Sequence, residues 1–172
     1  MEVSDAIKKR RSIRKFIDKE ISEEVIKELL EAARLAPSAY NSQPWKFFIV
    51  NDKVIIDKLR EHKVFIQDFV YNSPLIIVCC ADLESYPDRS RNNFNLRELA
   101  MGDLAFACQN LVLQATELGL GCCYIGLLDK EKIKKVLNIP ENYIVPYAII
   151  AGYPGEEPGA KTTKSIDEIR LK

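Results

Sequence analysis

Positive charge gathers in one short stretch, Arg10-Arg11-Ser12-Ile13-Arg14-Lys15. Guanidinium groups are permanently charged, forked donors suited to phosphate, and Ser12 can add a hydroxyl. On charge alone, a solvated basic face explains the stretch as well. A weaker cluster, Lys161 and Lys164, lies near the C-terminus. Residues 36–50 read APSAYNSQPWKFFIV, a polar loop carrying the only tryptophan and leading into an apolar run. Acid-base and nucleophilic chemistry find little support. His62 is the only histidine and sits among charged neighbours, the adjacent cysteines lack zinc spacing, and no Ser-His-Asp set can be assembled. The glycines of Leu118-Gly119-Leu120-Gly121-Cys122 follow a helical pattern rather than a strand, so a dinucleotide fingerprint fails on context. They fit a helix stop, with close backbone approach to a ligand at Gly126. An enzyme with so few reactive side chains borrows its chemistry from an organic cofactor.

Those residues need a scaffold. At 172 residues and 47% hydrophobic, the chain fits a single domain spanning 1–172, or one protomer of an intertwined oligomer. Its 25 basic and 25 acidic residues balance, so nothing overall suggests nucleic acid or an anionic membrane as partner. Four of the five cysteines form the adjacent pairs Cys79-Cys80 and Cys122-Cys123. Neighbours on a strand point to opposite faces, which fits buried, reduced thiols better than clamps. No apolar signal region or bilayer-length apolar run is present, so a cytoplasmic location is expected.

Ser4 and Asp5 open a short helix, followed by the extended RSIRKF. Ser22 caps a helix whose apolar positions run from Val25 to Ala36 and which Pro37 ends. Residues 46–50 form a strand, and Asp52 caps the next helix. LIIVCCA, residues 75–81, reads as a strand covered on both faces. Residues 86–95 are polar and irregular, the best candidate for a surface loop. The longest helix spans 97–118 and is apolar around most of its girth, which implies deep burial, partly by a second copy. GCCYIGLL supplies a strand or strand-to-loop passage, Asp129 opens a helix through Leu137, and residues 143–152 form a further strand. A Pro/Gly linker, 154–159, precedes a polar tail. The order predicts a sheet sandwiched by helices.

Four segments in this order, RRSIRKF, AARLAPSAYNSQPWKFFIV, GDLAFACQNLVLQATELGLGCCYIG and VPYAIIAGYP, closely resemble the nitroreductase family of FMN-dependent oxidoreductases. The likeness covers nearly the whole chain, and its first two segments are the most specific. It implies an α+β fold, a central mixed and mainly antiparallel sheet flanked by helices, in an intertwined homodimer with FMN sites at the subunit interface. Arg10, Arg11, Ser12 and Arg14 are then expected along the FMN phosphate and the pyrimidine edge of the flavin. Lys161 and Lys164, in KTTKSIDE, resemble the basic segment that completes the phosphate site. Pro37, Ser38, Ala39 and Asn41 match the loop given by the other subunit, with Trp45 and Phe47 as core residues.

Tyr124, Ile125 and Gly126 match the segment beside the isoalloxazine ring, the Gly126 amide being the donor to flavin N5. Gln67 is implied at the flavin's polar edge. Two departures stand out: Ala39 occupies a position often bearing a hydroxyl, and Thr163 one that is often basic. The short 86–95 loop leaves the acceptor open. The implied activity is ping-pong transfer from NADH or NADPH through FMN to a small acceptor such as a nitroaromatic or quinone. Alternatives are a specialised dehalogenase, dehydrogenase or flavin-destructive oxygenase, and a non-enzymatic flavin-binding protein.

Overall fold

A computed structural model describes residues 1–88 and 94–171. Its centre is a four-stranded antiparallel sheet of β1 (Trp45–Val50), β2 (Leu75–Asp82), β3 (Gly121–Ile125) and β4 (Tyr143–Gly152), in the order β1-β2-β4-β3. A single parallel bridge, Ser12 to Cys122, extends it at the β3 edge. β2 is apolar along its length because both faces are covered. Leu75, Ile77 and Cys79 face one core; Ile76, Val78 and Cys80 face the other. The adjacent cysteines thus divide between the two cores, and all five are free and buried. β4 carries one extra residue between its pairings with Cys79 and Ala81, next to Pro146, which lacks a ladder donor.

The first core is closed by α2 (Glu23–Arg34) and α4 (Leu96–Glu117), with α1 (Val3–Lys9) against α4. The second is closed by α3 (Lys53–Glu61) and α5 (Lys130–Leu137). Ser22, Asp52 and Asp129 cap α2, α3 and α5, as their residue types predict. Other boundaries move. α1 starts after Glu2 without a side-chain cap, which places Ser4 and Asp5 in its first turn. α2 stops at Arg34, before Pro37, and Asn95 caps α4 one residue earlier than the apolar pattern implies. β3 ends at Ile125, so only part of GCCYIGLL is strand. The polar tail contains a short helix, α6 (Ile166–Ile169), opened by a Ser165–Glu168 capping box that spacing alone would reveal.

α4 is apolar on two sides. Ala100, Leu104, Ala107, Cys108, Leu111 and Val112 are buried against the sheet and α2, while Phe106 is exposed on the outward side and Met101 is exposed at the flank of the buried side. Tyr86 corrects the surface-loop reading at its first residue: it is buried to 2% exposure. Residues 89–93 of that segment lie outside the described residues. Among the described residues, no helix is long and apolar enough to cross a membrane.

Candidate functional site

The basic segment is pinned to one end of the sheet. Ile13 N–H donates to Cys122 O at 3.0 Å, Ile17 N–H to Tyr153 O at 3.0 Å, and Gly155 N–H to Lys15 O at 2.9 Å. Two glycines paired across β3 and β4 permit that approach. A Cβ on Gly121 would lie 2.5 Å from Ile13 Cγ1, and one on Gly152 would lie 2.7 Å from Phe16 Cδ1. Glu156 Oε1 accepts Arg14 N–H at 2.7 Å and Lys15 N–H at 3.2 Å. These backbone bonds hold the Glu156 carboxyl below its usual range. Arg10, Arg11, Ser12, Arg14 and Lys161 line one cleft of about 430 Å³, with Glu156 at its wall. Lys164 is exposed and does not line that cleft.

β3 carries Tyr124 and Ile125 alongside this segment, and Gly126 leaves the sheet just beyond. Tyr124 is 38% exposed, and its ring meets Tyr147 edge-on, centroids 5.4 Å apart. Burial pushes both phenols up; for Tyr124 the nearby Arg10 charge partly opposes it. Burial also raises the Cys122 thiol to about 12, again against Arg10. The Gly126 amide finds no acceptor among the described residues, and a Cβ there would meet nothing within 4 Å. The segment beside it bears Gln67, since Ile66 N–H donates to Leu127 O at 3.3 Å and Phe65 bridges Leu128. Gln67 Oε1 and Tyr147 OH are buried without a partner among the described residues. Buried polar atoms left unpaired are uncommon and call for an explanation.

Residues 37–43 form the third part. Tyr40, Asn41 and Gln43 all have positive φ, at 55°, 54° and 47°. Left-handed backbone at three non-glycine positions is costly and persists only where the surroundings enforce it. Ser38 Oγ accepts Gln43 N–H at 2.9 Å, and Ala39 N–H donates to both carboxylate oxygens of Asp103, at 3.2 and 3.1 Å. The loop lies over α4, and it does not line the basic cleft.

The Nitroreductase family model matches residues 7–64 and 56–153. The chain belongs to the nitroreductase family. A Thermus thermophilus protein named NADH dehydrogenase is 30% identical over 91% of this chain and 89% of its own length. A protein of Methanothermobacter thermautotrophicus, provisionally named NADH dehydrogenase/NAD(P)H nitroreductase, is 35% identical over all of this chain and 87% of its own. Among solved structures, a nitroreductase family protein of Clostridium difficile superposes with a TM-score of 0.86 at 27% identity, covering 99% of this chain and 98% of that one. The NADPH:FMN oxidoreductase of Vibrio harveyi, complexed with NAD+, gives 0.84 at 25% identity, covering 99% and 76%.

Within this nitroreductase-family chain, the predicted residues fall into three groups. Arg10, Arg11, Ser12, Arg14 and Lys161 share the basic cleft. Tyr124, Ile125, Gly126 and Gln67 sit at or beside the end of β3. Pro37, Ser38, Ala39 and Asn41 stand apart from that cleft on the α4 side of the molecule. Sequence reading missed Tyr147, Tyr86 and Asp103. Asp103 had a legible signal: an acid three residues after Ala100 and four before Ala107, on the buried side of an apolar helix. A larger cleft of about 520 Å³ lies between residues 16–20 and α3. Its Asp18, Glu20 and Asp57 match Lys19, Lys53 and Arg60 in number, so it offers no net grip on an anion.

Proposed function

We propose that this chain is an FMN-dependent NAD(P)H oxidoreductase that passes reducing equivalents by a ping-pong route to a small acceptor such as a nitroaromatic or quinone. The observation that carries this reading is the meeting of a three-arginine cleft with a strand end whose amide and neighbouring polar atoms lack partners. The donor set fits FMN. Arg10, Arg11, Arg14 and Lys161, with the Ser12 hydroxyl, would hold a phosphate by charge-assisted bonds. The free Gly126 N–H and the orphaned Gln67 Oε1 offer one donor and one acceptor to a ring edge. When bound, FMN supplies hydride acceptance and electron donation.

The residues do the rest of the work by position. Backbone pinning of residues 13–17 fixes the cations beside β3 before any ligand arrives, which lowers the ordering cost of binding. Gly126 leaves open space above its backbone for a planar group. Phe106, exposed on the outward side of α4, offers an apolar contact suited to a second copy of the chain. In the proposed homodimer, the strained 37–43 loop of each chain would complete its partner's site. The test is spectroscopic. Purified, FMN-reconstituted protein is expected to be yellow and to bleach anaerobically with NADH or NADPH; a colourless protein with no affinity for FMN would overturn the reading.

A further inference from the structure

The long apolar helix α4 carries one carboxylate into the core. Asp103 is 4% exposed, and no cation is paired with it among the described residues. Among the described residues, its hydrogen bonds go to two other parts of the chain. Ala39 N–H reaches both of its oxygens, at 3.2 and 3.1 Å, and Tyr86 O–H donates to Oδ2 at 2.8 Å. Tyr86 is itself buried, and burial, followed by its bond to Asp103, raises the phenol well above its ordinary value. A buried charge is costly and is kept only where its hydrogen bonds are complete. Here it occupies the point where the turn at 38–43 and the chain leaving β2 both reach α4.

The turn needs such an anchor. Tyr40, Asn41 and Gln43 hold left-handed backbone within five residues of Ala39, a conformation that relaxes unless something outside the turn enforces it. Ser38 Oγ bonds within the turn itself, so it cannot fix the turn to the body. The Ala39–Asp103 bonds do tie it to the body, on α4.

We propose that Asp103 is a positioning residue, clamping the 38–43 turn and Tyr86 to one point on α4 so that the two segments move as a unit. The clamp itself stands on this chain's geometry. Its consequence for binding rests on the reading that the turn faces FMN. The carboxylate touches neither cofactor nor substrate; it acts through the Ala39 amide. Asp103→Ala leaves a half-buried amide and a buried phenol without their shared acceptor. Asp103→Asn keeps an acceptor for Ala39 N–H and an amide that can donate to the Tyr86 oxygen. Tyr86→Phe cuts one tie and leaves the other.

The experiment is amide hydrogen exchange on the full chain, with FMN titration by fluorescence quenching on the same samples. Asp103→Ala is expected to speed exchange at residues 39–43 by about tenfold or more, the effect of losing a charge-assisted bond. Asp103→Asn is expected to restore most of the protection. Tyr86→Phe is expected to loosen 39–43 as well, although the Tyr86 hydroxyl donates to Asp103 and not to the turn, and it covers the case in which Asp103→Ala does not fold. FMN affinity is expected to fall in the order of exchange. Unchanged protection at 39–43 in folded Asp103→Ala or in Tyr86→Phe would overturn the clamp. If the wild type takes up no FMN, the flavin reading fails, while the exchange comparison still decides the clamp.

Discussion

Arg14 is exposed, and its backbone N–H, rather than its guanidinium, ties it to Glu156. Truncating the side chain therefore removes a cation and leaves the fold intact. Arg14→Ala is expected to weaken FMN binding about tenfold with little change in Tm, read by equilibrium titration and thermal unfolding. Equal affinity would remove Arg14 from the phosphate site. Cys80 and Cys122 bear on a different quantity. Burial raises both thiols from 9.0 to about 12. A raised folded pKa means that the stabilisation is complete below pH 9 and is lost as pH climbs toward 12. Each thiol is expected to lower stability by roughly 1.4 kcal/mol per pH unit across that window, measured by urea unfolding. Cys→Ala at either site should flatten the decline. At this scale the sequence exposed charges and hid partners. The arginine cluster was legible from residue type. The roles of Tyr86, Asp103 and Tyr147 depend on burial and on which atoms lack a bond, and no local pattern states that.

The elements that hold the site show why the helices were easier to read than the loops. Ser22, Asp52 and Asp129 announce their helices because capping is local chemistry. The pinning of residues 12–17 to β3 and to the chain after β4 is long-range, and nothing near Arg10 in sequence records it. Gly121 records it only in retrospect, as a position with no room for a Cβ. Gly121→Ala would press a methyl group onto Ile13, so a loss of about 1–3 kcal/mol is expected, with weaker FMN binding because the basic segment is displaced. Gly126→Ala meets nothing within 4 Å and is expected to change stability by no more than about 0.5 kcal/mol. Paired thermal and FMN titrations check both; similar losses in the two variants would contradict the packing argument. The linker and tail escaped a full reading because their order comes from single contacts, such as Glu156 on Arg14 and Ser165 on Glu168.

For the whole molecule, the family likeness supplied what periodicity could not. Alternation and helical spacing led to a sheet between helices, and the structure is that. The strand order β1-β2-β4-β3 is set by non-local pairing and was not readable from spacing. The surplus apolar surface of α4 was legible, and the exposed Phe106 now locates part of it on the side turned away from the sheet. If that face joins two copies, Phe106→Asp is expected to yield a monomer by sedimentation and to lose FMN, since the 37–43 loop would no longer reach a neighbour's site. A folded monomer that keeps full FMN affinity would refute the shared site. The most direct measurement is a crystal structure grown with FMN. The account predicts the phosphate among Arg10, Arg11 and Arg14, the ring against Tyr124, Ile125 and Gly126, and residues 37–41 of a second chain closing over it. FMN held wholly within one chain, or seated in the charge-balanced cleft beside α3, would contradict it.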